Sequence, residues 1–465
     1  MPFHCARRPL KGDFEPVSSH TLGMRILIFT QHFPPETVAT GRRAFDLAES
    51  MAKRGHQVAV ITGVPNHPSS LGRPFCQSAS RREISPSGYR IVRVPVFRSQ
   101  DARALRRLLT YGTFALSAAR AGFRQERPDA ILAVSPLPTG LAAMLVHWGR
   151  RAPLVFDLQD IWPDSAVAVG VMQSSPSLRL LRRLERFFYR RCALIVGITE
   201  GFRQYLLSLG VSPERLAVIH NGVDWQMFGA AEAAHASGNS HQPDSKFVVG
   251  YVGNLGLAQG LETLLDAADA LREGPVRFLL AGEGTDKPRL RKLARIRGLE
   301  NVEFMDGVPR DHVAPILAAC DSFLLVLRKH PLFEITIPSK VYEYMAAGKP
   351  ILCSVGGEAS TLVSSSRCGL VVKPSDGEAL AAAIETLRDN PALCRKMGES
   401  GKRCARERFS MDSLMAGYAE LVEGLAPAGR KPAIGTVRPA SISLSFKKPW
   451  RFISGHLLRM FFLIF

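Results

Sequence analysis

MRILIFTQHFPPETVATGRRAFDLAESMAKRGHQVAVIT, residues 24–62, reads as strand, loop, helix, break and strand. Arg25–Phe29 (RILIF) is a short apolar run, and Gly41–Lys53 repeats its apolar residues at helical spacing. After the Arg54-Gly55-His56 break, Gln57–Thr62 (QVAVIT) is a second strand. The pattern continues outward from there. Ile91–Val96, Ala130–Val134, Leu154–Leu158, Leu194–Ile198 and Leu216–Ile219 read as strands, with helices expected over 103–124, 139–150 and 178–191. Apolar strands alternating with helices predict a parallel sheet covered on both faces.

Residues 229–245 (GAAEAAHASGNSHQPDS) are polar and without period, as a linker is. The alternation restarts at Phe247–Val252 (FVVGYV), with a helix over 260–272 and strands at 277–281, 302–304, 322–327, 350–354 and 370–372. The expected fold class is therefore α/β, with two doubly wound, Rossmann-like domains whose carboxyl edges face a central cleft. The domains divide as a disordered extension at 1–23, a first domain at 24–228, the linker, and a second domain at 246–410. A further helix at 411–425 and a basic, then apolar, tail at 426–465 complete the chain.

Composition narrows the chemistry. With 46% hydrophobic residues in a chain of 465, each domain can bury its own core. The net charge is +19, and sixteen of those charges come from 101–127, 177–191 and the tail. That balance suits nucleic acid, an anionic membrane or phosphorylated substrates, and composition does not choose among them. The basic stretches lack the interleaved stacking aromatics of a nucleic-acid surface, so no nucleic-acid partner is expected. None of the eight cysteines forms a C-x-x-C pair, which points to a reducing cytoplasm. No metal-ligand spacing stands out among the twelve histidines, so neither metal nor cofactor is expected. The end of the tail, with Trp450 after its lysines and Phe461–Phe465 apolar, is too short to span a bilayer and reads as an interfacial anchor.

Four motifs carry candidate chemistry. In Gln31–Arg43 (QHFPPETVATGRR), two prolines and Gly41 force a turn before a helix, whose N-terminus can hold phosphate or a sugar hydroxyl. In Tyr251–Gly260 (YVGNLGLAQG), Gly253 and Gly256 allow close backbone approach and Asn254 can donate to a phosphate oxygen. The spacing is not that of a dinucleotide fingerprint. Ala281-Gly282-Glu283-Gly284 ends a strand at the carboxyl edge where ligands collect. Each of these three is also compatible with a plain strand–helix turn. Pro338–Pro350 (PSKVYEYMAAGKP) is the most specific: Ser339 and Lys340 open a helix at its positive end, and Glu343 shares their face. The lysine can meet a diphosphate while the carboxylate accepts from ribose hydroxyls.

In this order the motifs resemble the family-4 retaining glycosyltransferases of GT-B fold, close to colanic-acid and O-antigen L-fucose or L-fucosamine transferases. The resemblance runs from Met24 to Val422 and is carried by the opening stretch together with RPDAILAVSP, FDLQDIWPDSAVAVG, IHNGVD, YVGNLGLAQGLETLLDAA, FLLAGEG and IPSKVYEYMAAGKPIL. It implies donor binding by the second domain, acceptor binding by the first, and a final helix (411–422) that crosses back to the first. Glu343 takes the place of the family's ribose-binding glutamate.

Three departures accompany it. The family's paired glutamate, separated from the second by seven intervening residues, falls on Ile335, with Glu334 one position off. Its diphosphate-binding Arg and Lys fall on Asn254 and Gln259, which leaves Arg328, Lys329 and Lys340 as the nearest cations. Gln159 replaces the histidine that often precedes the aspartate, here Asp160.

The implied reaction is sugar transfer, of fucose or L-fucosamine type, from a UDP- or GDP-sugar to a lipid-linked glycan. It would take place on the inner face of the bacterial plasma membrane. The expected catalytic residues are Gln159, Asp160 and Lys340. The expected donor residues are Gly41, Gly253, Asn254, Glu283, Arg328, Ser339, Lys340 and Glu343. Asp157 and Glu200 are further polar groups on the acceptor side. A nucleotide-sugar epimerase of the same fold and a non-catalytic basic membrane-binding protein are the alternatives.

Overall fold

The computed structural model describes residues 23–36, 38–65, 81–97, 104–170, 172, 176–228, 246–309 and 312–425. The extension up to residue 22, the linker and the tail from 426 lie outside the described residues.

Eight strands form the first sheet: β1 Arg25–Phe29, β2 Gln57–Gly63, β3 Arg81–Ile84, β4 Arg90–Val94, β5 Ala130–Val134, β6 Leu154–Leu158, β7 Leu194–Gly197 and β8 Leu216–Val218. Their spatial order is β3-β4-β2-β1-β5-β6-β7-β8. The parallel expectation needs one correction, because β3 pairs antiparallel to β4 and closes that edge. Every residue of β5 and β6 is buried, as strands covered on both faces require. On one face lie α2 (Ala104–Phe123), α3 (Leu137–Arg150) and α5 (Pro176–Tyr189); on the other lies α1 (Ala39–Lys53). Short α4 (Asp164–Ala168) follows β6, and α6 (Glu200–Ser208) follows β7.

The second sheet has six parallel strands: β9 Phe247–Val252, β10 Val276–Ala281, β11 Val302–Met305, β12 Ser322–Val326, β13 Ile351–Ser354 and β14 Gly369–Val371. Their order is β11-β10-β9-β12-β13-β14. The chain steps outward from β9 to β11, then returns to the other side of β9 as β12. The turns after β9 and β12 therefore diverge from a topological switch point, where open α/β sheets bind ligands. Its helices are α7 Glu262–Ala270, α8 Lys287–Ile296, α9 Val313–Ala318, α10 Pro331–Glu334, α11 Lys340–Ala346, α12 Gly357–Ser365, α13 Gly377–Arg388 and α14 Pro391–Arg408.

The chain crosses between domains twice, and the crossings meet: Val223 N–H donates to Phe409 O at 2.7 Å and Met411 N–H to Val223 O at 3.0 Å. The last helix, α15 (Met411–Glu423), then packs Met415, Tyr418, Ala419 and Val422 into the first domain's core beside α1. Glu423 fixes its far end, accepting from Arg54 Nε and Nη2 at 2.8 and 2.9 Å and contacting His56 Nε2 at 2.8 Å.

Arg43 is the buried hub of the first domain. Its Nε donates to Asp157 Oδ2 at 3.1 Å, and its two terminal nitrogens donate to Ile219 O and His220 O at 3.0 Å each. One guanidinium thus ties α1, β6 and the first crossing together. Arg43→Leu leaves Asp157 an unpaired buried carboxylate and is expected to cost about 3–5 kcal/mol. The exposed pair Arg277–Glu303 should contribute within about 1 kcal/mol. Urea unfolding of Arg43→Leu and Arg277→Leu checks the contrast.

Candidate active site

The second domain's site is built where two turns touch backbone to backbone. After β10, Gly282 has φ +147°, and a Cβ there would lie 1.9 Å from Gly253 O; one on Gly284 would lie 2.1 Å from Leu255 O. Only glycine fits at either position. Hydrogen bonds complete the contact. Gly253 N–H donates to Ala281 O at 2.8 Å, Leu255 N–H to Glu283 O at 2.8 Å, and Gly256 N–H to Gln259 Oε1 at 3.1 Å. The residues expected to offer donors to a ligand therefore use most of them to hold each other. Of the four N–H groups at 253–256, that of Asn254 alone has no hydrogen bond among the described residues.

Lys340 opens α11 directly beneath this loop. A Cβ on Gly253 would meet its Nζ at 3.3 Å. The ammonium lies 3.7 Å over the ring of buried Tyr251 and donates to the Tyr251 hydroxyl, which donates in turn to Asn254 O at 2.8 Å. Burial pulls the Lys340 pKa from 10.5 down to about 7, and Glu343, one turn on, opposes that shift. Tyr344 on the same helix accepts Val252 N–H at 3.0 Å and stacks on Phe323 at 4.4 Å, fixing α11 against β9 and β12. Tyr251 and Tyr344 are parts of the site that the sequence reading does not single out. The signal was a tyrosine placed in the strand before a glycine turn.

The other donor-side candidates divide. Arg328 N–H donates to Ala258 O at 2.9 Å across the switch point, and its guanidinium stands 3.5 Å from Glu262. Ser339 is exposed beside Lys340 and does not cap α11 through its side chain. Glu283 points elsewhere: it accepts Gly307 N–H at 3.0 Å and Lys287 Nζ at 2.9 Å, which hold its carboxyl below the ordinary range. It staples the turn after β11. Ile335 packs against the first domain's core, and the Glu334 side chain lies along Gly356. A separate, open surface depression at α7 and α13 is lined by Asp266, Asp269, Asp376 and Glu378, the wrong charge for a diphosphate.

In the first domain, Gly41 sits in the first turn of α1, where a Cβ would press on His32 C at 3.1 Å; it lets the first loop pack on the helix. Asp157 is the buried partner of Arg43, and its other oxygen accepts from Gln159 Nε2. Gln159 N–H donates to Ser135 Oγ at 3.0 Å. Asp160 accepts from Ser165 Oγ at 2.8 Å; it opens to solvent yet is flanked by enough protein to raise its carboxyl. The Glu200 carboxylate is engaged by Arg203 and Gln204, each at 2.7 Å. Among the described residues no group of three or more His, Cys, Asp and Glu could hold a metal ion.

Comparison with known proteins matches residues 39–222 to the "Glycosyl transferase 4-like domain" and residues 235–404 to "Glycosyl transferases group 1". The chain is 28% identical over 379 residues to the putative colanic acid biosynthesis glycosyl transferase WcaI of Escherichia coli K12, covering 78% of this chain and 91% of that one. It is 25% identical to a GDP-mannose-dependent alpha-mannosyltransferase of Mycobacterium tuberculosis, covering 77% and 85%. Among solved structures it superposes on Anabaena HepE in complex with UDP and glucose with a TM-score of 0.65. The sequences there are 18% identical, and the match covers 86% of this chain and 99% of that one.

The depressed Lys340 makes a signed prediction. A nucleotide sugar's diphosphate, esterified at both ends, does not titrate near neutrality, whereas the lysine does. A diphosphate placed beside it would restore the ammonium's charge, so binding there would take up a proton above pH 7. Affinity for a nucleotide sugar should be level below about pH 6 and fall as pH rises through 7, by up to about tenfold per unit. Calorimetry from pH 6 to 9 should show this for the natural protein and a flat, weaker response for Lys340→Met.

Proposed function

The chain belongs to the GT-B glycosyltransferases that join a 4-like domain to a group 1 domain, and from that premise we propose that it transfers a fucose- or L-fucosamine-type sugar, with retention, from a UDP- or GDP-sugar to a lipid-linked saccharide of a surface polysaccharide. The observation that carries this reading is the Lys340 ammonium held under Gly253 at the switch point, beside Asn254 and one turn from Glu343. The similarity to WcaI, a putative colanic acid biosynthesis glycosyl transferase, supports a role in polysaccharide synthesis, and that to WbjE from Pseudomonas aeruginosa, a probable glycosyltransferase 28% identical over 269 residues, supports glycosyl transfer. HepE, whose structure holds UDP and glucose, supports a uridine nucleotide as one of the donors to try.

In the proposed mechanism the C1–O bond to the diphosphate breaks while an acceptor hydroxyl forms a new C1–O bond on the same face of the sugar. The hydroxyl proton passes to the departing phosphate. Lys340 and Arg328 stabilise the leaving charge without a metal ion, and Glu343 accepts from the ribose hydroxyls. Gln159 and Asp160, across the cleft, meet the acceptor hydroxyl or the transferred sugar.

A membrane-bound acceptor fits the outer surface of the first domain. Leu109, Leu116 and Phe123 recur every seven residues on one exposed stripe of α2, beside Arg120 and Arg124. On α5, Leu180 is exposed among Arg179, Arg183 and Arg186. No helix of the described residues is long and apolar enough to cross a membrane. Cations near an anionic leaflet contribute about 1 kcal/mol each and are screened by salt, whereas inserted apolar side chains resist salt.

Incubation with UDP- and GDP-sugars should give transfer only when a lipid-linked acceptor is added, with activity surviving chelation; conversion of donor alone would instead indicate an epimerase. Glu343→Ala should weaken donor binding by about 1–3 kcal/mol in a folded protein. The full chain should pellet with phosphatidylglycerol-containing vesicles and resist a salt wash. The chain ended at Leu425 should retain only weak, salt-sensitive binding, reduced further by Leu116→Asp with Phe123→Asp.

A further inference from the structure

The two domains touch at a point that the transfer chemistry does not use. Helix α6 of the first domain begins at Thr199, whose Oγ1 accepts Phe202 N–H at 3.1 Å and donates to Ile335 O of the second domain at 2.7 Å. The next two backbone N–H groups, of Glu200 and Gly201, donate to the carboxylate of Glu358, in the first turn of α12 in the second domain; the Glu200 bond is 3.2 Å. A helix leaves its first N–H groups without internal partners and presents a positive end. Here two of them are satisfied by an anion from the other domain.

Packing makes the fit specific. A Cβ on Gly201 would lie 2.5 Å from Glu358 Oε1 and 2.5 Å from Ile335 Cβ, so no side chain can stand there. Leu332 and Ile335 pack against the first domain's core. Gly357 has φ +66°, and a Cβ on it would lie 1.8 Å from Glu334 O, which sets the turn that aims Glu358. The contacting segment from Pro331 to Ser339 lies directly between Arg328 and Lys340 in the chain.

We propose that Thr199, Gly201, Ile335 and Glu358 form a reversible clasp that closes the cleft and, through the segment 331–339, sets the placement of the donor-side cations. Its polar groups exchange protein partners for water when the domains part, so each of these hydrogen bonds contributes only modestly to closure. Glu358 is a positioning residue, and the segment's apolar contact is what makes the position of Ile335 a domain contact.

Amide exchange and small-angle X-ray scattering test this on the full chain without any substrate, so the outcome is separate from whether the proposed transfer is correct. In Glu358→Ala, exchange at the Glu200 and Gly201 amides should speed at least tenfold and the radius of gyration should rise, with α1 and α15 still protected. Glu358→Gln, nearly isosteric, should give a smaller change in the same direction. Unchanged exchange in a folded variant would overturn the clasp. Faster exchange with an unchanged scattering profile would also overturn it, reducing Glu358 to a local helix cap. Loss of fold in both variants would overturn it too, because a reversible latch between domains is not a folding determinant.

Discussion

The contact of two glycine turns, with Gly282 against the Gly253 carbonyl and Gly284 against that of Leu255, is the constraint on which the candidate site depends. A single methyl at Gly282 would separate the turns after β9 and β10. With the turns together, the loop at 253–256 is held by its own hydrogen bonds, and Lys340 is enclosed between Gly253 and Tyr251. Enclosure in turn lowers the ammonium's pKa to about 7. The charge available to a ligand is therefore a consequence of backbone packing two strands away.

The first domain shows the same logic with a different device. One buried guanidinium, Arg43, binds Asp157 and the carbonyls of Ile219 and His220. Asp157 then accepts from Gln159, so the carboxamide at the cleft has its N–H₂ end turned inward, since a carboxylate only accepts. The crossing at 219–224 leads to Val223, which pairs with the chain on its way back at Phe409 and Met411. Hub and crossings are contiguous, and the orientation of Gln159 is coupled to the geometry of the domain boundary.

Much of the framework was legible because fully buried parallel strands are apolar throughout: AILAV and LIVG announce themselves without context. The antiparallel edge strand β3 (RREI) was not, since a short, charged edge strand has no such signature. At the site, Gly253 and Lys340 were readable from glycine spacing and from a lysine opening a helix. The commitment of Glu283 was hidden, because its partner Gly307 lies 24 residues on. So was the fate of Asp157, whose partner Arg43 lies 114 residues away. The contact of Glu358 with Gly201 spans 157 residues and two domains. Local pattern identifies elements and turn chemistry, whereas long-range pairing decides which polar groups are left for a ligand.

The most direct measurement is a crystal structure of the protein with a nucleotide sugar that it binds. The diphosphate should lie within hydrogen-bond reach of Lys340 Nζ and the Asn254 N–H, with the ribose toward Glu343. A diphosphate seated at the first loop near Gly41, with the space above Gly253 vacant, would contradict the assignment of the donor to the second domain.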